Sequence, residues 1–199
     1  MARERDSQRQ KVYDAETRAF GGWLRSESMS VRESQAFVDR VLATKWIENQ
    51  EDWAGVLATI RRRGGVEIVP SHGGGNASFE PREIGDGSGY GYIRIHRPSI
   101  ALGVKARQKD VILHELAHLI APRSAAAHGW QFCDIELRLV RHFLGKEAHD
   151  KLKAEFKAGR VRFTEPRAKR QLTPEQREAA TARLAAARAA RAAKSEEAA

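Results

Sequence analysis

One apolar stretch is the most informative part of this chain: VILHELAHLI, residues 111–120. Its large aliphatic residues predict a helix that is buried in the core of a domain. His114 and His118 are four positions apart, so a helix places both imidazoles on one face, about one turn from each other. Glu115 follows the first histidine, close enough to contact a water on a shared ion, and this HExxH spacing predicts a metal site.

The apolar surroundings of the motif favour a metal over purely structural histidines. Two imidazoles and a carboxylate are costly to bury unless a partner satisfies them, and a bound ion is such a partner. Zinc in a hydrolytic site takes three protein ligands and keeps a fourth position for water. We therefore expect one Zn²⁺ per chain, with His114 and His118 as two of its ligands and Glu115 as the catalytic residue.

His128 is the candidate for the third ligand. Pro122 cannot continue the motif helix, which we expect to end at about Ala121. Residues 122–127 are long enough to turn the chain and return His128 toward the first two histidines, and Gly129 would let the two helix backbones approach closely. A second helix then packs on the first through a stripe formed by Phe132, Ile135, Leu139 and Phe143.

Other ligand arrangements are less favoured. The metzincin pattern requires a glycine and a third histidine where this chain has Ala121 and Ser124, and a methionine after the motif, where none occurs. Glu136, on the second helix, remains an alternative third ligand. If His128 binds the metal, we expect Glu136 to be a surface acid that pairs with Arg138 or Arg141, while His142 and His149 have solvated or packing roles.

The same residues resemble known families. HExxH at 114–118 followed by HGxxF at 128–132 is similar to the SprT-like zinc metalloproteases. The chain resembles more closely an uncharacterised family of HExxH metallohydrolases found in actinobacteria and their phages, which carries an N-terminal element like RDxQRxxVYxAE at residues 5–16. The resemblance spans about residues 4 to 157 and implies a zincin-like fold and a hydrolase. SprT-like relatives act on proteins attached to DNA.

Water activation by zinc is the mechanism that these residues imply. Glu115 would accept a proton from the water and pass it to the leaving group of an amide, so the expected activity is that of a metallopeptidase acting on a protein or peptide. Asp134 and Glu136 are candidates for acids that orient the ligands. The group that stabilises the oxyanion stays open among Tyr90, Tyr92, Arg94 and His96.

Upstream of the motif, the pattern predicts helices followed by a small sheet. Residues 7–20 look helical, and the SVRE sequence of residues 30–33 is a capping box that opens a helix to about residue 43. Its apolar face comprises Phe37, Val38, Val41, Leu42 and Trp46. Three short alternating segments, 66–69, 77–79 and 92–95, predict an antiparallel sheet against the motif helix, with 92–95 at its edge.

The glycine-rich segment 85–91 does not match a phosphate-binding loop. No Gly-Lys-Ser/Thr sequence follows it, and the next element is a predicted strand rather than a helix. We expect a hairpin loop. The predicted fold class is therefore α+β and zincin-like, with N-terminal helices, a three-stranded sheet, the motif helix packed on a following helix, and a projecting C-terminal helix.

The last part of the chain changes character. After a basic run, TPEQ at residues 173–176 opens an alanine- and arginine-rich helix to about residue 194. It lacks the large side chains needed to bury surface, so we assign residues 1–160 to the metallohydrolase domain and 161–199 to a basic extension. A net charge of +9 makes nucleic acid a candidate partner of this extension. The alternative function is a nucleic-acid-associated binding protein with a structural or vestigial metal site.

Composition sets the remaining expectations. At 199 residues with 41% hydrophobic residues, the chain has enough apolar material for one domain with a modest core. No stretch is long and apolar enough to span a membrane, and residues 1–6 lack the apolar region of a secretory signal, so we expect a cytoplasmic protein. The single cysteine, Cys133, excludes an internal disulfide and is expected to be buried on the second helix.

Overall fold

The computed structural model describes residues 6–21, 28–71, 75–78, 80, 82–85, 92–95, 97–166 and 173–197. The chain divides into two compact units, Met1–Glu165 and Pro166–Ala199. The first is α+β, as expected. We expected this unit to end at residue 160. It extends to Glu165, and the added residues belong to it because Val161 is buried and Phe163 packs against the core.

Seven helices belong to the described part of the first unit. The first precedes residue 21, three lie between residues 30 and 63, and three follow residue 108. They are α1 (Arg9–Phe20), α2 (Val31–Leu42), α3 (Lys45–Glu48), α4 (Ala54–Arg62), α5 (Lys109–Ile120), α6 (Trp130–Phe143) and α7 (Lys146–Ala158). The expected capping box of α2 is confirmed: Ser30 accepts from the Glu33 backbone N–H, and the Ser30 N–H donates to the Glu33 carboxylate at 2.7 Å.

The main sheet is mixed, so our antiparallel prediction is wrong in part. It comprises β1 (Glu67–Pro70), β2 (Gly75–Ser78) and β5 (Ser99–Leu102), in the order β1-β5-β2. β5 pairs parallel with β1 and antiparallel with β2. All four residues of β5 are buried, so its sequence lacks the alternation of polar and apolar residues by which the other strands were predicted.

Residues 92–95 form a strand, but not in this sheet. β4 (Tyr92–Ile95) pairs antiparallel with β3 (Arg82–Gly85), with Gly85 opposite Tyr92. The strand therefore belongs to a separate hairpin, and our placement of it at the edge of the main sheet is wrong. Residues 86–91, where we expected a hairpin loop, lie outside the described residues; the next described element is the strand β4 rather than a helix, as expected.

The two edges of the main sheet differ. At the β1 edge the side-chain amide of Gln35, on α2, takes the place of a neighbouring strand: Nε2 donates to the Val66 carbonyl at 2.9 Å, and Oε1 accepts from the Ile68 N–H at 2.8 Å. The other edge is β2, which packs against α5. Because Gln35 blocks β1, β2 is the edge of this sheet where a further strand could pair.

Helix α5 lies at the centre of the first unit. It packs against α6, α2, α4, β2 and β5, and its aliphatic residues from Ile112 to Ile120 are buried. Its cap at Ala121 has an extended backbone, because a residue before proline disfavours the helical conformation. The predicted end of the motif helix at about Ala121 is confirmed.

The second unit consists mainly of α8 (Pro174–Glu197). Thr173 caps it: the Gln176 N–H donates to the Thr173 hydroxyl, and the Thr173 N–H donates to the Gln176 side chain, both at 3.2 Å. Every described side chain of this helix is exposed, including Leu184 at 60%. Among the described residues, no helix is both long enough and apolar enough to cross a membrane.

Candidate metal centre

The three histidines predicted as ligands lie together. Ring nitrogens of His114, His118 and His128 are all within 4.8 Å of one another. The Nε2 atoms of His114 and His118 are 3.1 Å apart. Two nitrogens bound at 2.0–2.1 Å to one tetrahedral zinc ion would lie about 3.3 Å apart, so the spacing matches that of two ligands of one ion.

The turn after α5 brings His128 to the other two histidines. Within it, the Ala125 N–H donates to the Pro122 carbonyl at 3.0 Å and the Gly129 N–H donates to the Ala126 carbonyl at 2.9 Å. His128 is 3% exposed and lies directly before α6. Its Nε2 is buried and has no hydrogen-bond partner among the described residues. A buried lone pair without a partner is unfavourable, and a metal ion would satisfy it.

Gly129 serves this turn rather than the contact between the two helices. A Cβ at this position would lie 3.1 Å from the carbonyl oxygen of Ala126 and 3.3 Å from the side chain of Gln131. The crowding atoms are therefore those of the turn and of α6 itself. Our expectation that Gly129 permits close approach of the motif helix is not supported by these contacts.

Two carboxylates from the N-terminal segment contact the Nδ1 atoms of His114 and His128, on the side of each ring away from Nε2. Asp6 Oδ2 lies 2.8 Å from His128 Nδ1, and Glu16 Oε1 lies 2.5 Å from His114 Nδ1. An ionised carboxylate only accepts, so Asp6, and Glu16 in its ionised form, would place the proton of each imidazole at Nδ1. Each Nε2 is thereby left with the lone pair that a metal requires.

The rest of the same segment surrounds the centre. The Tyr13 ring lies 5.0 Å from the His128 ring and 5.6 Å from the His114 ring. Gln8 Nε2 donates to the backbone carbonyls of His128 at 2.6 Å and Arg162 at 3.0 Å. The N-terminal element singled out in the sequence, residues 5–16, therefore contributes the side chains that orient two of the three histidines.

Glu136 is a buried neighbour of His114, not a surface acid. It is 1% exposed, and its Oε1 lies 3.7 Å from His114 Nδ1, where Glu16, His114 and Glu136 form a second group of potential metal ligands. Our expectation that it pairs with an arginine is wrong. Arg138 instead binds Asp52 at 2.6 Å and lies 3.5 Å from Asp134, which removes Asp134 as a support of the ligands.

Burial sets the protonation of these groups. It raises the pKa of Glu16 to about 7 and raises the pKa of Glu136 well above its ordinary value. The negative charge of Glu16 is a second cause of the raised pKa of Glu136, after burial. Burial also lowers the pKa of His128, although the hydrogen bond that its Nδ1–H donates to Asp6 acts in the opposite direction, and this favours a neutral imidazole that can bind a metal.

Glu115 lies against the backbone of β2. It is 5% exposed, and a Cβ added to Gly75 would come 2.2 Å from its Oε1 and 2.8 Å from its carboxyl carbon. Only glycine leaves room for the carboxylate here. The candidate catalytic group is therefore held between the motif helix and the edge strand of the sheet.

Phe132 forms an apolar wall behind the three histidines. Its ring centroid lies 4.9 Å from that of His114, 4.4 Å from that of His118 and 5.0 Å from that of His128. This residue is the phenylalanine of the HGxxF pattern. An apolar wall reduces the access of water and strengthens electrostatic interactions within the centre.

The remaining candidates from the sequence lie elsewhere or beyond the described residues. His142 stacks on Trp46 at 4.2 Å and His149 binds Asp150 at 2.8 Å, so both have the packing and solvated roles we expected. Cys133 is buried on α6, and burial raises the pKa of its thiol. The four candidates for oxyanion stabilisation stay untested because their side chains lie outside the described residues: Tyr90, Tyr92, Arg94 and His96.

Comparisons with protein-family models, with curated proteins and with solved structures found no match for this chain.

Proposed function

We propose that this protein is a zinc-dependent metallopeptidase with a zincin-like arrangement of its active site. The observation that carries the proposal is the cluster of three buried or half-buried histidines, with the Nε2 of His128 buried and without a partner. Three imidazole nitrogens are a donor set suited to zinc, and they leave a fourth position open. When bound, zinc would lower the pKa of a water and polarise the carbonyl of the substrate.

In this proposal Glu115 is the general base. It directly follows a ligand on the same helix, and the strand beside it fixes the position of its carboxylate. The carboxylate accepts a proton from the attacking water and donates it to the amide nitrogen as that nitrogen leaves. A closed structural metal site would need no such group, so the buried Glu115 favours a catalytic role.

The sheet supports a peptide as substrate. Gln35 occupies the β1 edge, whereas β2 is the opposite edge and contacts the general base at Gly75. An extended peptide paired with β2 would bring its own carbonyl groups past Glu115 through main-chain hydrogen bonds. The edge strand thus provides both affinity for an extended chain and its alignment with the candidate base.

Hydrolysis of an unfolded protein tests this function. Zinc-loaded wild type should cleave a reduced, unfolded protein substrate, whereas Glu115→Gln should keep its zinc and lose at least 10³-fold in rate, an order-of-magnitude expectation for loss of a general base. Glu147→Gln is the control because Glu147 is exposed on α7 and pairs only on the surface with Lys151 at 3.0 Å. Equal rates for wild type and Glu115→Gln would contradict the proposal.

A further inference from the structure

A groove of about 770 Å³ opens beside the metal centre. We name it the alanine groove after the small side chains along it. Its lining includes His118 and comprises mainly the end of α5, the following turn, β2 and α4. Its apolar lining residues are four alanines and one proline of the turn and helix end, one alanine of β2, and three larger aliphatic residues: Ala121, Ala125, Ala126, Ala127, Pro122, Ala77, Val56, Leu119 and Ile120.

The alanine groove is where the centre meets solvent. His114 and His128 are 5% and 3% exposed, whereas His118 is partly exposed and its side chain lines the groove. A substrate that reaches the candidate ligands from this side therefore passes through the groove. β2 forms one wall, so a peptide paired with this strand would direct alternate side chains toward the groove.

The chemistry of the walls indicates what the groove accepts. Its floor is aliphatic, and alanines in place of larger residues leave depth for a side chain that the protein does not itself provide. Charged groups are confined to exposed positions: Arg63, Glu80 and Arg123, the last two joined by an ion pair at 3.0 Å. An aliphatic side chain can therefore enter without stripping water from a buried charge.

We propose that the alanine groove binds an aliphatic side chain of the substrate, from a residue close to the cleaved bond. The inference rests on the proposed peptidase function and adds its specificity. Val56 is half-buried on α4 and lines the groove. A large residue at position 56 fills the groove, whereas the same residue at the exposed position 58 of the same helix points to solvent.

Two hydroxamates test the groove without hydrolysis. Acetohydroxamate and 4-methylpentanohydroxamate share the zinc-binding group and differ by an alkyl chain. Each buried methylene strengthens binding by about fourfold, so the longer probe should bind the zinc-loaded wild type at least tenfold more tightly by calorimetry. Val56→Trp should bind both probes equally, and the control Ala58→Trp should keep the wild-type ratio.

A library of peptides then connects the groove to cleavage. Wild type should prefer leucine, isoleucine, valine or methionine at one fixed position beside the cleaved bond, and Val56→Trp should shift this preference to glycine and alanine. Equal affinity for the two hydroxamates, or a preference that Val56→Trp does not alter, overturns the groove but leaves the peptidase proposal intact. Alkyl-selective binding without cleavage of any peptide overturns the peptidase proposal and retains the groove as a binding site.

Discussion

Asp6 and Glu16 each contact the Nδ1 atom of a candidate ligand, and an ionised carboxylate at this position favours the tautomer that carries its proton at Nδ1. A histidine with its proton at Nε2 cannot bind a metal through that atom. The carboxylates also make the imidazoles more basic, which strengthens their bonds to a cation. Metal affinity should therefore depend on residues that do not touch the metal.

Replacing either carboxylate should weaken zinc binding. For Asp6→Asn and for Glu16→Gln, we expect the zinc dissociation constant to rise by about 10- to 100-fold, because the neutral amides no longer polarise the imidazoles. Competition with a chromophoric chelator measures this constant. Asp14→Asn is the matched control, since Asp14 is exposed on the same helix and accepts only from Gln10 at 2.8 Å. A dissociation constant that is the same in all four proteins would contradict the assigned role.

Gly75 should be required for the position of Glu115. In Gly75→Ala the new methyl group would overlap the carboxylate, so we expect hydrolysis to fall by at least tenfold while zinc remains bound. Zinc content and the rate of peptide cleavage are measured together. The free energy of unfolding of Gly75→Ala, measured in urea, separates a loss of activity from a loss of folded protein. Full activity of Gly75→Ala would show that the carboxylate is not held by this contact.

The raised pKa of Glu16 predicts how the metal-free chain responds to pH. Between pH 4.5 and about 7 the folded chain holds a proton that the unfolded chain releases, so this contribution to stability is present at low pH and is lost as the pH rises through about 7. The glutamine of Glu16→Gln does not titrate, so this variant does not lose stability in this way as the pH rises. Its free energy of unfolding relative to wild type should rise by on the order of 3 kcal/mol over this range, measured in urea with EDTA. A constant difference would contradict the raised pKa of Glu16.

At the scale of elements, Gln35 closes one edge of the sheet. In Gln35→Ala the Val66 carbonyl and the Ile68 N–H lose their partner, so we expect a loss of about 1–2 kcal/mol in the free energy of unfolding. Association through the opened edge should also appear at high concentration in sedimentation experiments. Gln10→Ala, which removes only an exposed hydrogen bond to Asp14, should cost less than about 0.5 kcal/mol. If the two variants behave alike, the side chain of Gln35 does not protect the edge.

The elements that could be predicted are those whose determinants are local. The α2 capping box and the proline after α5 lie within a few residues of the boundaries they set. β5 could not be found in this way, because it is four residues long and buried along its whole length. Its parallel pairing with β1 depends on a connection of almost thirty residues, which no local pattern specifies.

The same distinction holds for the candidate centre. The spacing along α5 and the turn after it indicated three histidines that the structure brings together. Asp6 and Glu16 come from an element 122 and 98 residues away from their partners, and only the quoted N-terminal pattern pointed to that element. Glu136 was misjudged because its burial depends on how α6 faces α1 and α5, which the sequence of α6 alone does not reveal.

At the scale of the whole molecule, the chain combines a unit that has its own core with an exposed basic helix. The described core residues all precede Phe163, and none of the described side chains of α8 is buried. The helix exposes three arginines, Arg177, Arg183 and Arg188. Such side chains can contact phosphates, and binding of nucleic acid by the C-terminal unit stays a prediction. Every residue assigned to the metal centre belongs to Met1–Glu165, so the C-terminal unit supplies none of the candidate ligands.

The number of zinc ions per chain tests the central claim most directly, when it is measured by elemental analysis on wild type, His128→Ala, Glu115→Gln and His142→Ala. We predict about one zinc in wild type and in Glu115→Gln, and little in His128→Ala, which lacks a ligand. His142→Ala is the control, since His142 stacks on Trp46 outside the cluster, and should retain the wild-type content. Full zinc occupancy in His128→Ala, or none in wild type, would contradict the three-histidine centre.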